Sequence, residues 1–269
     1  MESRKILITG GTSGLGLELV KIFLREGYIV VATGRNPICM PGYESEFSFY
    51  RVDFSDLRQT SLLIKDICLK HEFDCVINNA GILSPPDFTV TKDGLEYTFQ
   101  VNFLAHLLIN EIILRKQTIN RSMKICAITS PVYKLAEKEE RFHHESKDYK
   151  PLKAYSDSKY CLAQMCIELS DRYPDRKLYC FSFNPGVFSS GIYRMQNSLF
   201  RLLYSIAAPF MRKPADAAEA IASIMRQNNF TNGAVYNFRK RTKYLQDIDS
   251  SVSDVFWSNC YEKINAYLC

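Results

Sequence analysis

Tyr155 and Lys159 carry the most specific chemistry in the sequence, because they stand four positions apart. On a helix, this spacing puts both side chains on one face. A free tyrosine has a pKa of about 10, and a nearby cation lowers that pKa by stabilising the phenolate. Such a pair can act as a general acid and base toward a carbonyl or an alcohol. The spacing alone is weak evidence, since most matches to it are solvated helix faces.

A second chemical signal is the turn Thr-Gly-Gly-Thr-Ser-Gly-Leu-Gly at 9–16, which lies between an apolar strand and an apolar helix. Glycines let the backbone approach a pyrophosphate, and the N-terminus of the next helix attracts its charge. The spacing differs from the general Gly-x-Gly-x-x-Gly fingerprint. The turn predicts a dinucleotide site whose candidate contacts are Gly10, Thr12, Ser13, Gly14, Leu15 and Gly16.

Arg35 ends the second predicted strand, where an NAD site usually has an acidic residue for the ribose 2′-hydroxyl. No acidic residue occurs from 28 to 43, and a guanidinium suits a 2′-phosphate. We therefore expect NADP(H), with NAD(H) as the alternative; an ordinary surface arginine is the simpler interpretation. Asp53 and Phe54 follow the third strand and are further candidate cofactor contacts. Asp53 could accept from the adenine amino group or cap the next helix.

The elements that must position these residues alternate between short apolar runs and longer amphipathic ones. We predict strands at 4–9, 28–34, 47–52, 73–78, 123–129, 177–183 and 234–238, and helices at 14–26, 56–71, 92–117, 153–172, 214–228 and 250–267. Such alternation is typical of βαβ units. The expected fold is α/β: one doubly wound Rossmann domain over 1–269, with a mostly parallel seven-stranded sheet and helices on both faces.

Composition limits the classes of function. Hydrophobic residues make up 46% and charged residues 23% of the 269 residues, as in an ordinary globular protein. A net charge of +5 without a long basic run does not indicate a nucleic-acid partner. The most apolar stretch, 199–211, contains Arg201 and is too short to span a bilayer. We expect neither a transmembrane segment nor a signal peptide.

The nine cysteines lack the spacing of a disulfide framework or a zinc site. They read as reduced core residues, which predicts a reducing compartment and a cytoplasmic location. His143 and His144 are adjacent in a charged loop, but the sequence places no further metal ligands beside them. We therefore expect no metal.

Several motifs occur together in a fixed order along 4–240. They are the glycine-rich turn, Asn78-Asn79-Ala80-Gly81 after the fourth strand, Asn102 in Val-Asn-Phe-Leu, Ser130 after the fifth strand, the Tyr155/Lys159 pair, and Asn184-Pro185-Gly186 after the sixth strand. Jointly they resemble the short-chain dehydrogenase/reductase family. Each motif is weak by itself, and the specificity comes from their order.

The resemblance implies a role for each motif. Tyr155 exchanges a proton with the substrate oxygen, while Lys159 tunes Tyr155 and binds the nicotinamide ribose. Ser130 holds the substrate oxygen, and Asn102 supports a water that links Lys159 to solvent. The cofactor residues implied by the resemblance are Asn79, Ala80, Gly81, Tyr155, Lys159, Pro185, Gly186, Val187 and Ser190, the last where the family often has a threonine.

Simpler interpretations and departures stand beside these roles. Ser130 could cap a helix or loop, and Asn102 could be a satisfied buried amide. Pro131 directly after Ser130 is unusual for the family and predicts a different bend. Ser13 stands where many NADP-using members have a second basic residue, which leaves Arg35 as the main phosphate anchor.

The segment 91–102 and the 25-residue separation of Ser130 from Tyr155 are similar to the retinol-dehydrogenase-like branch of the family. This branch includes many reductases of lipophilic aldehydes and ketones. The apolar segment 186–213 would form a substrate lid, although helix packing or a subunit contact explains it nearly as well. The expected partner is therefore a small-molecule substrate, an apolar carbonyl compound or alcohol, with bulky apolar compounds preferred to small polar ones.

Two other functions remain open on the same scaffold. The chain could reduce a C=C bond, or it could be a non-catalytic NADP-binding sensor or interaction protein. The resemblance also implies a homodimer paired through the helices that carry Asn102 and Tyr155.

Overall fold

The architecture is a parallel sheet covered by helices on both faces. A computed structural model describes residues 3–118, 121–136, 146–186, 213–228, 231–237, 240–242 and 250–268. The strands are β1 (Lys5–Thr9), β2 (Ile29–Gly34), β3 (Phe47–Arg51), β4 (Cys75–Asn78), β5 (Met123–Ile128), β6 (Leu178–Asn184), β7 (Val235–Asn237) and β8 (Lys240–Thr242).

The strand order is β3-β2-β1-β4-β5-β6-β7-β8. The first seven strands in this order pair in parallel, and β8 adds a short antiparallel edge beside β7. This confirms the predicted doubly wound α/β fold with seven parallel strands. The order reverses between β1 and β4, and in such sheets the crevice at that point is where ligands bind.

The helices are α1 (Gly14–Arg25), α2 (Leu57–Lys70), α3 (Tyr97–Phe99), α4 (Ala105–Lys116), α5 (Pro151–Arg172), α6 (Pro214–Met225) and α7 (Ser250–Leu268). Short 3₁₀ helices span Pro131–Leu135 and Ser146–Asp148. Both faces of the sheet are buried, because Ile6 and Ile8 join one apolar cluster with α1 and α6 while Leu7 joins a second with α2, α4, α5 and α7. This accounts for strands that are apolar throughout rather than alternating.

The predicted helix 92–117 begins later than expected, at Tyr97. Thr91 and Gly94 form a turn, with the Gly94 N–H donating to the Thr91 carbonyl and a φ of +74° at Gly94. The Glu96 carboxylate then accepts from the N–H groups of Thr98 and Phe99. A capping carboxylate starts a helix at the next residue, so the turn and the cap together delay the helix.

One turn of that helix is wider than an α-helix. Gln100–Leu104 forms a π turn between α3 and α4, in which the Ala105 N–H donates to the Gln100 carbonyl. Such widened turns are rare and frequently occur at functional sites. Asn102 lies at the centre of this turn.

An aromatic cluster fixes the last helix over the π turn. Phe103 is fully buried, and its ring lies 6.0 Å from that of Phe256 and 5.9 Å from that of Trp257. The Tyr267 hydroxyl at the far end of α7 donates to the Asp93 carboxylate at 2.8 Å. Helix α7 therefore covers the outer side of the element that carries Asn102.

The described residues contain neither a candidate membrane span nor a candidate metal cluster. Within those ranges, no helix combines the length and apolar character that a membrane span needs. No group of three or more His, Cys, Asp or Glu side chains in the same ranges is arranged to hold a metal ion. His143 and His144 lie outside the described residues. Six of the eight described cysteines are buried, and all eight are free thiols.

We predict that Trp257→Ala lowers the free energy of unfolding by about 3 to 5 kcal/mol, the usual cost of deleting a buried aromatic side chain. Trp257 is only 6% exposed. Urea unfolding measures the loss, and Val255→Ala is the control, because Val255 lies on the same helix and is 52% exposed. Equal effects of the two substitutions would contradict the packing of α7.

Candidate active site

The glycine-rich turn after β1 has the backbone that a close ligand approach requires. Gly10 and Gly14 have φ values of +64° and +53°, which favour glycine. A Cβ at Gly16 would collide with the Gly10 carbonyl and the Asn79 amide. The Asn79 side chain donates to the carbonyls of Thr9 and Gly10 at 2.9 and 3.2 Å, and so ties the end of β4 to the turn.

The N-terminus of α1 suits an anion, unlike that of α2. Ser13 precedes α1 and is exposed, its side chain makes no capping hydrogen bond, and no acidic residue occurs in the first turn. By contrast, Asp56 caps α2 by accepting from the Gln59 N–H, and Asp93 accepts from the Leu57 N–H. A helix start without a carboxylate attracts phosphate. The turn and α1 therefore fit the pyrophosphate of a dinucleotide.

Asp53 does not cap α2, so that interpretation of the sequence was wrong. Its carboxylate accepts instead from the N–H and hydroxyl of Ser55, at 3.0 and 2.9 Å, in a local turn. Phe54 beside it is buried. The sequence could not distinguish Asp53 from Asp56, since both precede the helix within four residues.

Arg35 lies exposed after β2, as predicted. It lies near a tyrosine that sequence reasoning missed, Tyr97 at the start of α3. Burial raises the pKa of the Tyr97 phenol, the Asp53 carboxylate raises it further, and the Arg35 cation lowers it. Arg35, Asp53 and Tyr97 therefore interact electrostatically at one end of the sheet. This is the end where an adenosine would lie in this fold.

Lys159 is a cation with only 3% of its surface exposed, so its burial carries a large desolvation cost. Its Nζ donates to the Ile128 carbonyl at the end of β5, at 3.0 Å. Desolvation lowers the pKa of this ammonium to about 8. The same Nζ lies 5.9 Å from the centre of the Tyr155 ring, and Tyr155 is 8% exposed. The predicted pair is thus on one face of α5.

Asn102 is a fully paired buried amide. Its Oδ1 accepts from the Ile82 N–H at 2.8 Å, and its Nδ2 donates to the Ile82 carbonyl at 2.9 Å and the Ser158 hydroxyl at 3.0 Å. A Cβ placed on Gly81 would lie 3.2 Å from both Asn102 Oδ1 and Lys159 Nζ. The amide therefore holds the loop after β4 against α5, directly beside the lysine.

Ser130 follows β5 and precedes the 3₁₀ helix Pro131–Leu135. It occupies the position of a cap, but its side chain makes no capping hydrogen bond. The Ser130 hydroxyl therefore does not cap this helix, which excludes the interpretation of Ser130 as a helix cap. Pro131 is the first residue of that 3₁₀ helix; whether the loop bends differently from the family stays a prediction.

The remaining predicted cofactor residues fall into two groups. Thr12 lies against Gly34, since a Cβ added to Gly34 would be 2.7 Å from the Thr12 methyl carbon. Leu15 is buried at the start of α1. Gly186 follows β6 with a φ of +75°, and its N–H donates to the Asn184 side chain. Pro185 is buried beside it. Val187 and Ser190 lie outside the described residues, as does nearly all of 186–213.

A threonine that sequence reasoning also missed connects the two halves of the site. The Thr9 hydroxyl accepts from the N–H groups of Asn79 and Ala80 at 2.9 and 3.0 Å. It also contacts the ring of His106, which in turn contacts the Asn102 carbonyl. Thr9 stands directly before the glycines in the sequence, and this position was the only signal for it.

Comparison with known proteins gives a consistent result. The model of the family described as short chain dehydrogenase matches residues 4–199. The WW domain-containing oxidoreductase of Drosophila melanogaster is 28% identical over 259 residues, which cover 88% of this chain and 62% of the relative. Retinol dehydrogenase 14 of Mus musculus is 26% identical over 242 residues, covering 81% of this chain and 72% of the relative. The chain thus spans less than two thirds of the fly protein.

Solved structures with the same fold include proteins bound to either nicotinamide cofactor. ElxO with NADP bound has a TM-score of 0.66 at 21% identity, covering 88% of this chain and 97% of its own. 4-Hydroxyisoleucine dehydrogenase complexed with NADH has a TM-score of 0.68 at 20% identity, covering 87% and 96%. At this identity, the likeness concerns the fold alone.

The buried ammonium predicts a pH effect on stability. A lysine whose pKa falls on folding costs stability while it is charged, so the cost is complete below pH 8 and disappears as pH rises toward 10.5. Over this range, we expect the cofactor-free protein to gain up to about 3 kcal/mol in unfolding free energy relative to Lys159→Met. Urea unfolding at several pH values measures it, with Lys134→Met on the surface as control. Parallel curves for wild type and Lys159→Met would contradict the prediction.

Proposed function

The chain belongs to the short-chain dehydrogenase/reductase family of oxidoreductases, and on this premise we propose that it transfers a hydride between NADP(H) and a carbonyl/alcohol pair. The observation that carries the proposal is the buried Lys159 ammonium, held by the Ile128 carbonyl, 5.9 Å from the Tyr155 ring centre. A cation at this position favours the phenolate and so prepares the phenol for proton exchange at neutral pH.

Each residue of the site has a separate role in the proposed reaction. When bound, the nicotinamide supplies or accepts the hydride. In the reductive direction, Tyr155 gives its proton to the carbonyl oxygen as the carbon receives the hydride, and the product is the alcohol. Ser130 donates to the same oxygen and orients it. Lys159 stabilises the phenolate that remains, and Asn102 holds the loop and helix on either side of Lys159.

Arg35 supports a preference for NADP(H) over NAD(H). It lies after β2 without an acidic residue nearby in sequence, and it is exposed. A guanidinium pairs well with a 2′-phosphate, whereas a carboxylate at this position would repel it. The solved structures with this fold hold NADP or NADH and so do not distinguish the two.

The substrate that we propose is a lipophilic aldehyde, ketone or alcohol. Leu135 and Leu152 support this, because they are 62% and 59% exposed, one on the 3₁₀ helix that follows Ser130 and the other on the helix that carries Tyr155. The segment 186–213 is rich in apolar residues and would complete the binding surface as a lid. Apolar groups of a substrate gain free energy by covering such surface.

The wider setting of the protein is part of the proposal. We take 1–269 as one NAD(P)-binding domain with 186–213 as its substrate segment. The free thiols of the described cysteines favour a reducing compartment, and we propose the cytoplasm. A homodimer paired through α4 and α5 stays a prediction.

The central test is turnover of NADPH with a panel of carbonyl compounds by wild type and Tyr155→Phe. We expect bulky apolar aldehydes and ketones to react faster than short polar ones. Tyr155→Phe should lower kcat at least about a hundredfold, the usual contribution of a general acid, while NADPH binding persists. Tyr173→Phe is the matched control, since Tyr173 lies directly after the C-terminus of α5 and its hydroxyl donates to Glu111 on α4. This substitution should leave turnover unchanged.

Other outcomes of the same panel would replace the proposal. Reduction of unsaturated carbonyl compounds at the C=C bond alone would make the chain a C=C reductase. NADPH binding without turnover of any compound would favour a sensor. A panel in which short hydrophilic ketones win would overturn the lipophilic substrate.

Arg35→Asp tests the cofactor preference. Replacing the cation with an anion should weaken NADPH and leave room for the NADH ribose hydroxyls, so the ratio of kcat/KM values should move toward NADH by about a hundredfold or more. The ratio is measured with one substrate at saturating concentration. Arg25→Asp, at the end of α1, controls for net charge. Unchanged ratios in Arg35→Asp would refute the role of Arg35.

A further inference from the structure

His106 occupies the space between the nucleotide-binding turn and the π turn. It is completely buried on α4. Its Nε2 lies 3.0 Å from the Thr9 hydroxyl, and its Nδ1 lies 2.9 Å from the Asn102 carbonyl. One imidazole thus contacts the end of β1 on one side and the residue that flanks Lys159 on the other.

The hydrogen bonds of Thr9 determine which ring nitrogen carries the proton. A hydroxyl has one proton and can accept two hydrogen bonds. The N–H groups of Asn79 and Ala80 already fill both acceptor positions of Thr9. The hydroxyl proton is left for His106 Nε2 at 3.0 Å or the Ile77 carbonyl at 3.3 Å, and the histidine is nearer. Nε2 is therefore the acceptor, and Nδ1–H donates to the Asn102 carbonyl.

The surroundings of the ring favour this neutral form. The pKa of His106 is lowered to about 4, chiefly by burial; the hydrogen bond to the Asn102 carbonyl acts to raise this pKa, and the Lys159 cation acts to lower it. The Phe54 ring lies edge-on at 5.4 Å, and among the described residues no carboxylate contributes to the pKa shift of His106. The Asn110 amide donates to the His106 carbonyl at 2.8 Å and fixes the backbone. The imidazole thus has a defined tautomer and a defined orientation.

We propose that His106 is a positioning residue that couples the dinucleotide turn to the proton-transfer group. Its Nδ1–H holds the main chain of the π turn at Asn102, and its Nε2 holds the Thr9 hydroxyl on which Asn79 and Ala80 converge. Because His106 is completely buried, it would act through these two contacts. The inference deepens the proposed function, on which its kinetic part rests.

The two nitrogens can be tested separately, because two amides each replace one of them. In His106→Asn, the amide N–H₂ reaches about as far as Nδ1 and keeps the donor to Asn102. In His106→Gln, the amide oxygen reaches about as far as Nε2 and keeps the acceptor for Thr9. Both variants are neutral and polar, so a general effect of losing the ring should be common to both.

We expect His106→Gln to lower kcat by about tenfold, the effect of losing about 1.4 kcal/mol of positioning, with NADPH affinity within about twofold of wild type. His106→Asn should do the reverse, keeping kcat while weakening NADPH by about tenfold. Stopped-flow kinetics gives kcat, and NADPH fluorescence gives the dissociation constant. Glu111→Gln is the stability control, since Glu111 is buried on the same helix and bonds Arg115 and Tyr173 away from the site.

A measurement without turnover keeps the inference separate from the proposed function. In ¹⁵N NMR of wild type, we expect His106, assigned by its loss in His106→Gln, to be protonated at Nδ1 and to shift when NADPH is added. Failure of every carbonyl compound to react would sink the proposed function but leave this test standing. A proton on Nε2, or no shift with NADPH, would overturn the coupling. The coupling would also be overturned if His106→Asn and His106→Gln lost kcat equally and in proportion to the drop in their melting temperatures.

Discussion

The burial of one ammonium group constrains the rest of the site. Lys159 is 3% exposed, and a lysine in such a position is stable as a cation only if polar groups replace its water. The Ile128 carbonyl does so directly, because it ends β5 where the parallel strands expose their last carbonyls. Gly81 is small enough for Lys159 Nζ and Asn102 Oδ1 to lie close beside it. The sheet, the loop after β4 and helix α5 must therefore be in register for this lysine to be tolerated at all.

Neutral hydrogen bonds then distribute that constraint over the site. The Oδ1 and Nδ2 atoms of Asn102 are both hydrogen-bonded, to the Ile82 backbone and the Ser158 hydroxyl. The π turn places Asn102 between the loop after β4 and helix α5. Half-satisfied buried networks cost more than apolar packing, so each member of such a network must be present for the others to be stable. The glycine-rich turn and the Tyr155/Lys159 pair, which are far apart in the chain, are linked in this way through shared hydrogen-bonded neighbours.

The sequence was sufficient for the fold, since parallel strands buried on both faces appear as apolar runs between helical patterns. It was also sufficient to bring Tyr155 and Lys159 together, because i, i+4 spacing on a helix needs no tertiary information. The π turn was not predictable, since widening one helical turn depends on what packs against it. Asp53 and Asp56 were indistinguishable because capping depends on where the backbone bends. His106 looked like an ordinary helix residue, and only its long-range partners reveal its position.

The contacts of α7 also have a consequence for the order in which the protein is assembled. Tyr267 and Asp93, which its hydroxyl bonds, are 174 residues apart in the chain. A ribosome makes the N-terminal part first, so the nucleotide turn, β2 and β4 are synthesised well before the aromatic residues that cover Phe103. Until those residues have been made, Phe103 lacks the rings that cover it. The burial of the outer side of the π turn is therefore completed only when the C-terminal helix has been synthesised.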